Sequence, residues 1–463
     1  MSEGSPATSA RDASIGGALR LAAELVIRVS SIVATLWLTR SLGVTSFGAL
    51  LLALSEGLVI AELCDLGLNA TMVPLIVRCP RNLGTVLRIK AALTLAVLSV
   101  GAAFLPFSSR VSGVEPALLA LTTLHFVGAT WIEISGAALR ALGHPIGEAA
   151  LLFVFRFSLV ALVVSSPFGM TVAGACEAYA LAVLPAAVFA GMGLVRHRPR
   201  DVVEGGATGR EILRQALPMG ANGYLAIIST RVELFLLKVA YGENVVGLFG
   251  GALRIVESLL TLPAAIAAGA LPSVARDAMR GTRGAAQRMF GLVVWIGVPA
   301  AFGLALCAPE VLRVLGPGFV EGALALRILS FALLLCFANA ALFHLLIAAG
   351  ETPLIPKLTG ARVIVAAIAG LALIPFLGST GAAVSFTLSE LSLFALLVQK
   401  TRPHAAIDVL RPVAAAIAAC IPMIALLFFA GLPLASKIVF GALLFVAAGA
   451  LILRRGTAIG GLA

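Results

Sequence analysis

Apolar runs of helix-spanning length alternate with short polar joints along the whole chain. A helix needs about 20 mostly apolar residues to cross about 30 Å of hydrocarbon, and it satisfies its own backbone hydrogen bonds there. Runs of that kind fall at 15–39, 47–68, 86–107, 114–138, 146–166, 170–195, 217–240, 248–270, 289–308, 322–347, 358–377, 381–399, 412–431 and 436–453, predicting fourteen crossings. The longest polar joint is RHRPRDVVEGGATGREILRQA, 196–216, and no joint is long enough to form a soluble domain. The pattern therefore predicts an all-α polytopic membrane protein. Its expected parts are a cytoplasmic tail (1–14), a six-helix bundle (15–195), a cytoplasmic linker (196–216), a second six-helix bundle (217–400), an additional helix pair (412–453) and a cytoplasmic tail (454–463). MSEGSPATSARDAS has no apolar core of its own, so the first span is expected to act as an uncleaved anchor.

Composition agrees with the pattern. Of 463 residues, 60 % are hydrophobic and 12 % charged, and the mean hydropathy is +1.07. A soluble domain carries about 25 % charged residues, so a soluble enzyme, a disordered chain and a secreted disulfide scaffold are excluded. The six cysteines form no C-x-x-C pair and mostly lie in apolar runs, as small core residues do. The net charge of +11 does not call for nucleic acid. Cytoplasmic loops of membrane proteins are enriched in Lys and Arg. With the N-terminus cytoplasmic and the loops alternating, 23 of the 33 basic residues fall on the cytoplasmic side, five outside and five within spans. Arg88, Lys90 and Arg362 are counted with the cytoplasmic set, at span edges.

The chain also repeats itself. LTRSLGVTSFG (38–48) aligns with LKVAYGENVVG (237–247), VPLIVR (73–78) with LPSVAR (271–276), VLRIKAAL (86–93) with AQRMFGLV (286–293), and ALGHP (141–145) with AAGETP (348–353). The offset stays near 200 residues, and an even number of spans separates the copies. Both halves therefore enter the membrane from the same side, a parallel repeat of the kind that commonly encloses a central cavity.

Several chemistries are missing. None of the five Lys follows Gly, so there is no Walker A loop, and no D-x-D, H-E-x-x-H or G-x-S-x-G occurs. No cofactor or metal motif is present. Transport against a gradient would have to draw on an ion gradient or on the substrate's own.

Ionisable residues inside spans cost roughly 2.5–3.5 kcal/mol each to insert and are functional candidates by default. Glu24 and Arg28 stand four apart on one face of the first span, and Arg254 and Glu257 three apart in the eighth. Both pairs also read as neutralised structural pairs. Arg231 and Lys238 share a face of the seventh span, while Glu233 points elsewhere. His125 reads as a hydrogen-bonded interior residue, and Lys238 and Arg327 as side chains that snorkel to the outer interface. Glu24, Glu56, Glu133, Glu257 and Glu390 are candidate coupling or pairing acids. Arg28, Arg231 and Arg254 open the two repeats, so a shared cavity would be cationic there. Guanidinium suits bidentate phosphate recognition and stays charged at any relevant pH. The segment GLFGG (247–251) reads as a small-residue helix contact.

RSLGVTSFG, ELCDLGLNATMVPLIVR and YGENVVGLFGGALRIVESLLTLPAAIAAGALPSVAR, set in fourteen spans and two halves, resemble the polysaccharide biosynthesis flippases (Wzx type) of the multidrug/oligosaccharidyl-lipid/polysaccharide (MOP) exporter superfamily. That resemblance implies a MATE-like fold in the bacterial inner membrane. It also implies translocation of an undecaprenyl-diphosphate-linked oligosaccharide by alternating access, with polysaccharide polymerase and glycosyltransferases as partners. Arg28 and Arg254 match the family's cavity arginines. Two other readings stay open. A drug/cation antiporter of the same superfamily would want a net acidic cavity, and a non-transporting scaffold of an envelope polysaccharide complex would need none.

Overall fold

The structure, a computed structural model, describes residues 6–197, 206–279, 284–404, 407–429 and 432–456. Side chains are described from Val29 to Leu451 within those segments, apart from positions 111, 268, 278, 279 and 429. The described residues form helices and no strands. In chain order they are α1 (Pro6–Asp65), α2 (Leu68–Arg78), α3 (Asn82–Ser112), α4 (Pro116–Ala141), α5 (Pro145–Ser165), α6 (Val172–Leu181), α7 (Val183–Arg196) and α8 (Gly209–Tyr241). There follow α9 (Glu243–Leu259), α10 (Thr261–Met279), α11 (Gly284–Leu306), α12 (Ala308–Leu315), α13 (Ala323–Ala348), α14 (Ile355–Thr401), α15 (Leu410–Phe429) and α16 (Leu434–Gly456). Helix covers each of the fourteen expected crossings.

The long helices are double crossings. The apolar stretches Val29–Arg78 and Thr352–Thr401 are each 50 residues, far more than one bilayer needs. Each turns at a glycine with positive φ, Gly43 (φ 74, ψ 179) in α1 and Gly378 (φ 55, ψ −131) in α14. The turn between α8 and α9 uses Gly242 at φ 84, ψ −171. Gly43 and Gly242 are the positions the internal repeat aligns, and they adopt nearly the same backbone state. A Cβ disfavours that state, which is why both copies keep glycine there.

The chain forms two compact units, Met1–Ile228 and Ser229–Ala463, so the boundary falls inside α8. In the first, α4 is central and packs against α1, α2, α3, α5, α6 and α7. The second span is broken in mid-course. Helix α1 stops at Asp65, Leu66 and Gly67 take φ of 44° and 81°, and α2 carries on to Arg78. Gly220 of α8 lies against this break so closely that a Cβ on it would meet the Leu66 carbonyl carbon at 2.2 Å. Leu68, Met72, Ile134, Ile212 and Ala216 close an apolar core around it.

In the second unit α13 is the centre and packs against α9, α10, α11 and α14. Leu326, Leu329, Leu333, Phe337 and Leu342 along it are buried, while Leu324 and Phe331 stand exposed on its outer side. Helix α15 packs on α11 and α16 on α15, with Gly449 against Trp295.

Three expectations change. Most helices overrun the apolar windows at one end or both, because hydropathy marks only the hydrocarbon while hydrogen bonding continues into the polar flanks. The short α12 and a 3-10 turn (Pro317–Gly322) add an element the pattern did not announce. The turn also alters the reading of GLFGG, since Gly251 receives the Phe319 ring of that turn.

Candidate functional site

The best-defined charged constellation lies in the second unit, on α8 and α9. The two helices are joined at Gly242, and residues at similar distances before and after a hairpin turn face each other. Arg231 and Arg254 are such a pair. Between them stands Glu257. Arg231 Nη1 donates to Glu257 Oε1 at 3.1 Å, and Arg254 Nη1 donates to Glu257 Oε2 at 3.2 Å. One carboxylate therefore bridges two guanidiniums, leaving a positive charge uncompensated within the triad. Arg231 is buried, and its Nε has no hydrogen-bond partner among the described residues. The side chains of Arg254 and Glu257 are 32 % and 21 % exposed. The i,i+3 pair was legible in the sequence. The participation of Arg231 was not, although equal spacing about the turn glycine was a usable signal.

Lys238 does not join the triad. It pairs with Glu243 across the turn at 2.7 Å. Arg327 is exposed.

A second cluster in the same unit is buried. Arg362 Nη2 lies 2.6 Å from Glu390 Oε1, and Asn339 Nδ2 donates to Glu390 Oε2 at 2.8 Å. Glu233 is fully buried, with Ser385 Oγ 3.5 Å from Oε1 and no partner on Oε2 among the described residues. Arg362 is thus an interior residue of α14, whereas its place at a span edge had suggested a loop charge.

The first unit holds its own polar group around the broken span. Lys90, also expected at a cytoplasmic edge, is fully buried with Nζ 2.6 Å from Asp65 Oδ1. Asn69 Nδ2 donates to Glu133 Oε2 at 3.3 Å, and Lys90 Nζ reaches Asn69 Oδ1 at 3.5 Å. Glu133 is exposed although it lies well inside α4. Glu56 is buried and accepts from Ser108 Oγ. His125 is an interior residue whose Nδ1 lies 2.7 Å from the Tyr179 carbonyl oxygen. Arg156 stacks on Phe155 at 5.1 Å. The side chains of Glu24 and Arg28 lie outside the described residues, so the first-span pair has no place in this geometry. No group of three His, Cys, Asp or Glu is placed to hold a metal ion among the described residues.

At the loop ends, the His144 and His197 rings pack together at a tilt of 43°, with centroids 3.7 Å apart. Desolvation and the neighbouring His197 push the His144 imidazole below its ordinary value.

The family described as polysaccharide biosynthesis protein matches residues 16–276. No sequence among the curated proteins matches. Among solved structures, the chain is similar to the lipid II flippase MurJ in an inward closed conformation, at TM-score 0.76 and 12 % identity, covering 94 % of this chain and 98 % of that one. It is also similar to an outward-facing MATE family multidrug resistance transporter of the MOP superfamily, at TM-score 0.61 and 18 % identity, covering 87 % and 96 %. A third is a MOP superfamily transporter from Pyrococcus furiosus described as having a binding pocket of reverse polarity, at TM-score 0.54 and 18 % identity, covering 87 % and 94 %. At these identities the likeness establishes the MurJ/MATE-like fold of a multi-pass membrane protein.

Proposed function

We propose that this chain, which belongs to the polysaccharide biosynthesis protein family, is a flippase for a lipid-linked oligosaccharide. In this reading it carries an undecaprenyl-diphosphate-linked repeat unit across the bacterial inner membrane by alternating access of two parallel-related halves. The observation that carries the reading is the Arg231–Glu257–Arg254 triad. Two guanidiniums aimed at one anion form a fork for phosphate oxygens. Placed in mid-span, with Arg254 partly exposed in front of the buried Arg231, they suit a diphosphate joined to a lipid tail that stays in the bilayer. Arg28, matched to the family's first-span arginine, would complete the cationic lining. The fold likeness to a lipid II flippase supports the same substrate chemistry. The excess of Lys and Arg in alternate loops supports cytoplasmic termini in this reading. Polymerase and glycosyltransferases would supply and consume the substrate, and Glu24, Glu56, Glu133 and Glu390 are the acids on which coupling to an ion gradient would act.

The test is complementation of a flippase-deficient strain that accumulates its lipid-linked oligosaccharide. Arg28→Ala, Arg231→Ala and Arg254→Ala are each expected to abolish rescue at near-normal membrane levels, and Lys at the same positions to rescue partly. Full rescue by all three Ala variants sinks the phosphate reading. A cation-drug resistance phenotype in place of glycolipid accumulation would favour the antiporter.

A further inference from the structure

We infer that Glu257 is a resident anion of the Arg231–Arg254 site. It holds the place of a phosphate between transport cycles, keeps both guanidiniums aimed at one point, and is displaced when a diphosphate enters. The inference rests on the phosphate-site reading above and adds the regulation of that site.

Three observations carry it. First, Glu257 spends its oxygens one on each guanidinium, at 3.1 and 3.2 Å, and no other group holds either oxygen among the described residues. Glu390 is the contrast. Its oxygens are divided between Arg362 and Asn339, a cation and a neutral amide, and its side chain is 3 % exposed. Second, the site offers more donors than its anion uses. Each guanidinium has five N–H groups. Glu257 engages one nitrogen of each, and the buried Arg231 Nε is left without a partner. A phosphate, with three oxygens, can take donors that a carboxylate leaves idle. Third, exposure is graded. The side chains of Arg254 and Glu257 are 32 % and 21 % exposed and that of Arg231 is 8 % exposed. An entering anion meets Arg254 first and reaches Arg231 only as Glu257 gives way.

The consequence is an exchange of one anion for another. Without Glu257 the empty site would hold two guanidiniums close together with nothing between them, and they would bind a diphosphate too tightly to let it go. With Glu257, binding costs one carboxylate contact and release regains it. Affinity is lowered and turnover is raised.

The experiment uses the full-length protein purified in detergent, with farnesyl diphosphate as the prenyl-diphosphate probe and inorganic pyrophosphate as the soluble one, both titrated calorimetrically. Glu257→Gln is expected to bind farnesyl diphosphate about tenfold more tightly than wild type, equivalent to about 1.4 kcal/mol. In proteoliposomes it is expected to turn over more slowly. Glu257→Asp keeps the charge but is too short to bridge both guanidiniums, so its affinity should fall between the two. The Asp variant decides the matter if the Gln variant does not elute as a folded peak. Unchanged or weaker binding in the Glu257 variants, with binding lost in Arg231→Ala and Arg254→Ala, overturns the resident-anion role while the phosphate site stands. Wild-type binding in both Arg variants overturns the phosphate site itself. Tighter binding of farnesyl diphosphate than of pyrophosphate supports a lipid-linked occupant, and the reverse order overturns it.

Discussion

Replacing Lys90 with Met removes the ion that holds the broken second span together. Lys90 Nζ is fully buried 2.6 Å from Asp65 Oδ1. The other Asp65 oxygen accepts the Asn69 backbone N–H at 3.2 Å, which caps α2 just after the Leu66–Gly67 break. Lys90 Nζ also reaches Asn69 Oδ1 and lies 6.0 Å from the Trp131 ring centre. In Lys90→Met the buried carboxylate keeps only the Asn69 hydrogen bond. In Asp65→Asn the buried ammonium keeps the Asn69 side chain as its direct partner and loses its contacting carboxylate, with Glu62 and Glu133 left as more distant charges. Breaking a buried pair by removing one partner costs about 3–5 kcal/mol, whereas replacing both partners with neutral groups of similar volume is often near neutral. The double variant should therefore be more stable than either single one. For a unit of this size each kcal/mol moves the thermal midpoint by about 2–4 °C, so each single variant should fall by on the order of 10 °C. Thermal scanning of purified protein, with size-exclusion to confirm a folded peak, reads both quantities. Single variants within about 1 °C of wild type, or a double variant as unstable as the sum of the singles, would refute the reasoning.

Other outcomes follow from separate parts of the structure. Gly220→Ala puts a Cβ 2.2 Å from the Leu66 carbonyl carbon and 2.7 Å from the Gly67 nitrogen. Those atoms are backbone and cannot turn away, so the variant should lose at least about 1–3 kcal/mol of stability. Gly101→Ala, with nothing within 4 Å, is the control, and equal folded yields of the two would contradict the packing. The His144 imidazole sits below its ordinary value because of desolvation and His197. The folded form thus resists protonation, and the stability it contributes is present above the unfolded value of about 6.5 and is lost as pH falls from there through the lower folded value. The drop in thermal midpoint on acidification should shrink in His197→Leu; an unchanged drop would exclude the pair as its source. A reporter fused after Arg198 should score cytoplasmic and one fused after Glu243 outer, and the reverse pattern would invert the orientation.

Much of the fold was legible because a bilayer imposes length and polarity on every crossing. The two turns that the repeat aligned proved to share a backbone state at Gly43 and Gly242, so even the turn chemistry was readable. The site was legible only within one helix. Arg254 and Glu257 announce themselves by i,i+3 spacing, but nothing in a window of apolar residues says that Arg231 meets the same carboxylate. Lys90 and Arg362 were misplaced for a related reason. A basic residue near the end of an apolar run looks like a loop charge, and only its partner on another helix, Asp65 or Glu390, shows that it is inside.

The sequence by itself determined what the solvent demands: crossing-length helices, their approximate ends and the excess of positive charge in alternate joints. Each of these follows from the transfer of short segments between water and hydrocarbon, a local property. Tertiary structure decided which charges are neutralised and which remain available. Pairing across helices depends on approach distances of a few ångströms between residues far apart in the chain. That is how one carboxylate comes to serve two guanidiniums in the second unit, while in the first an aspartate and a lysine lock a helix at its break.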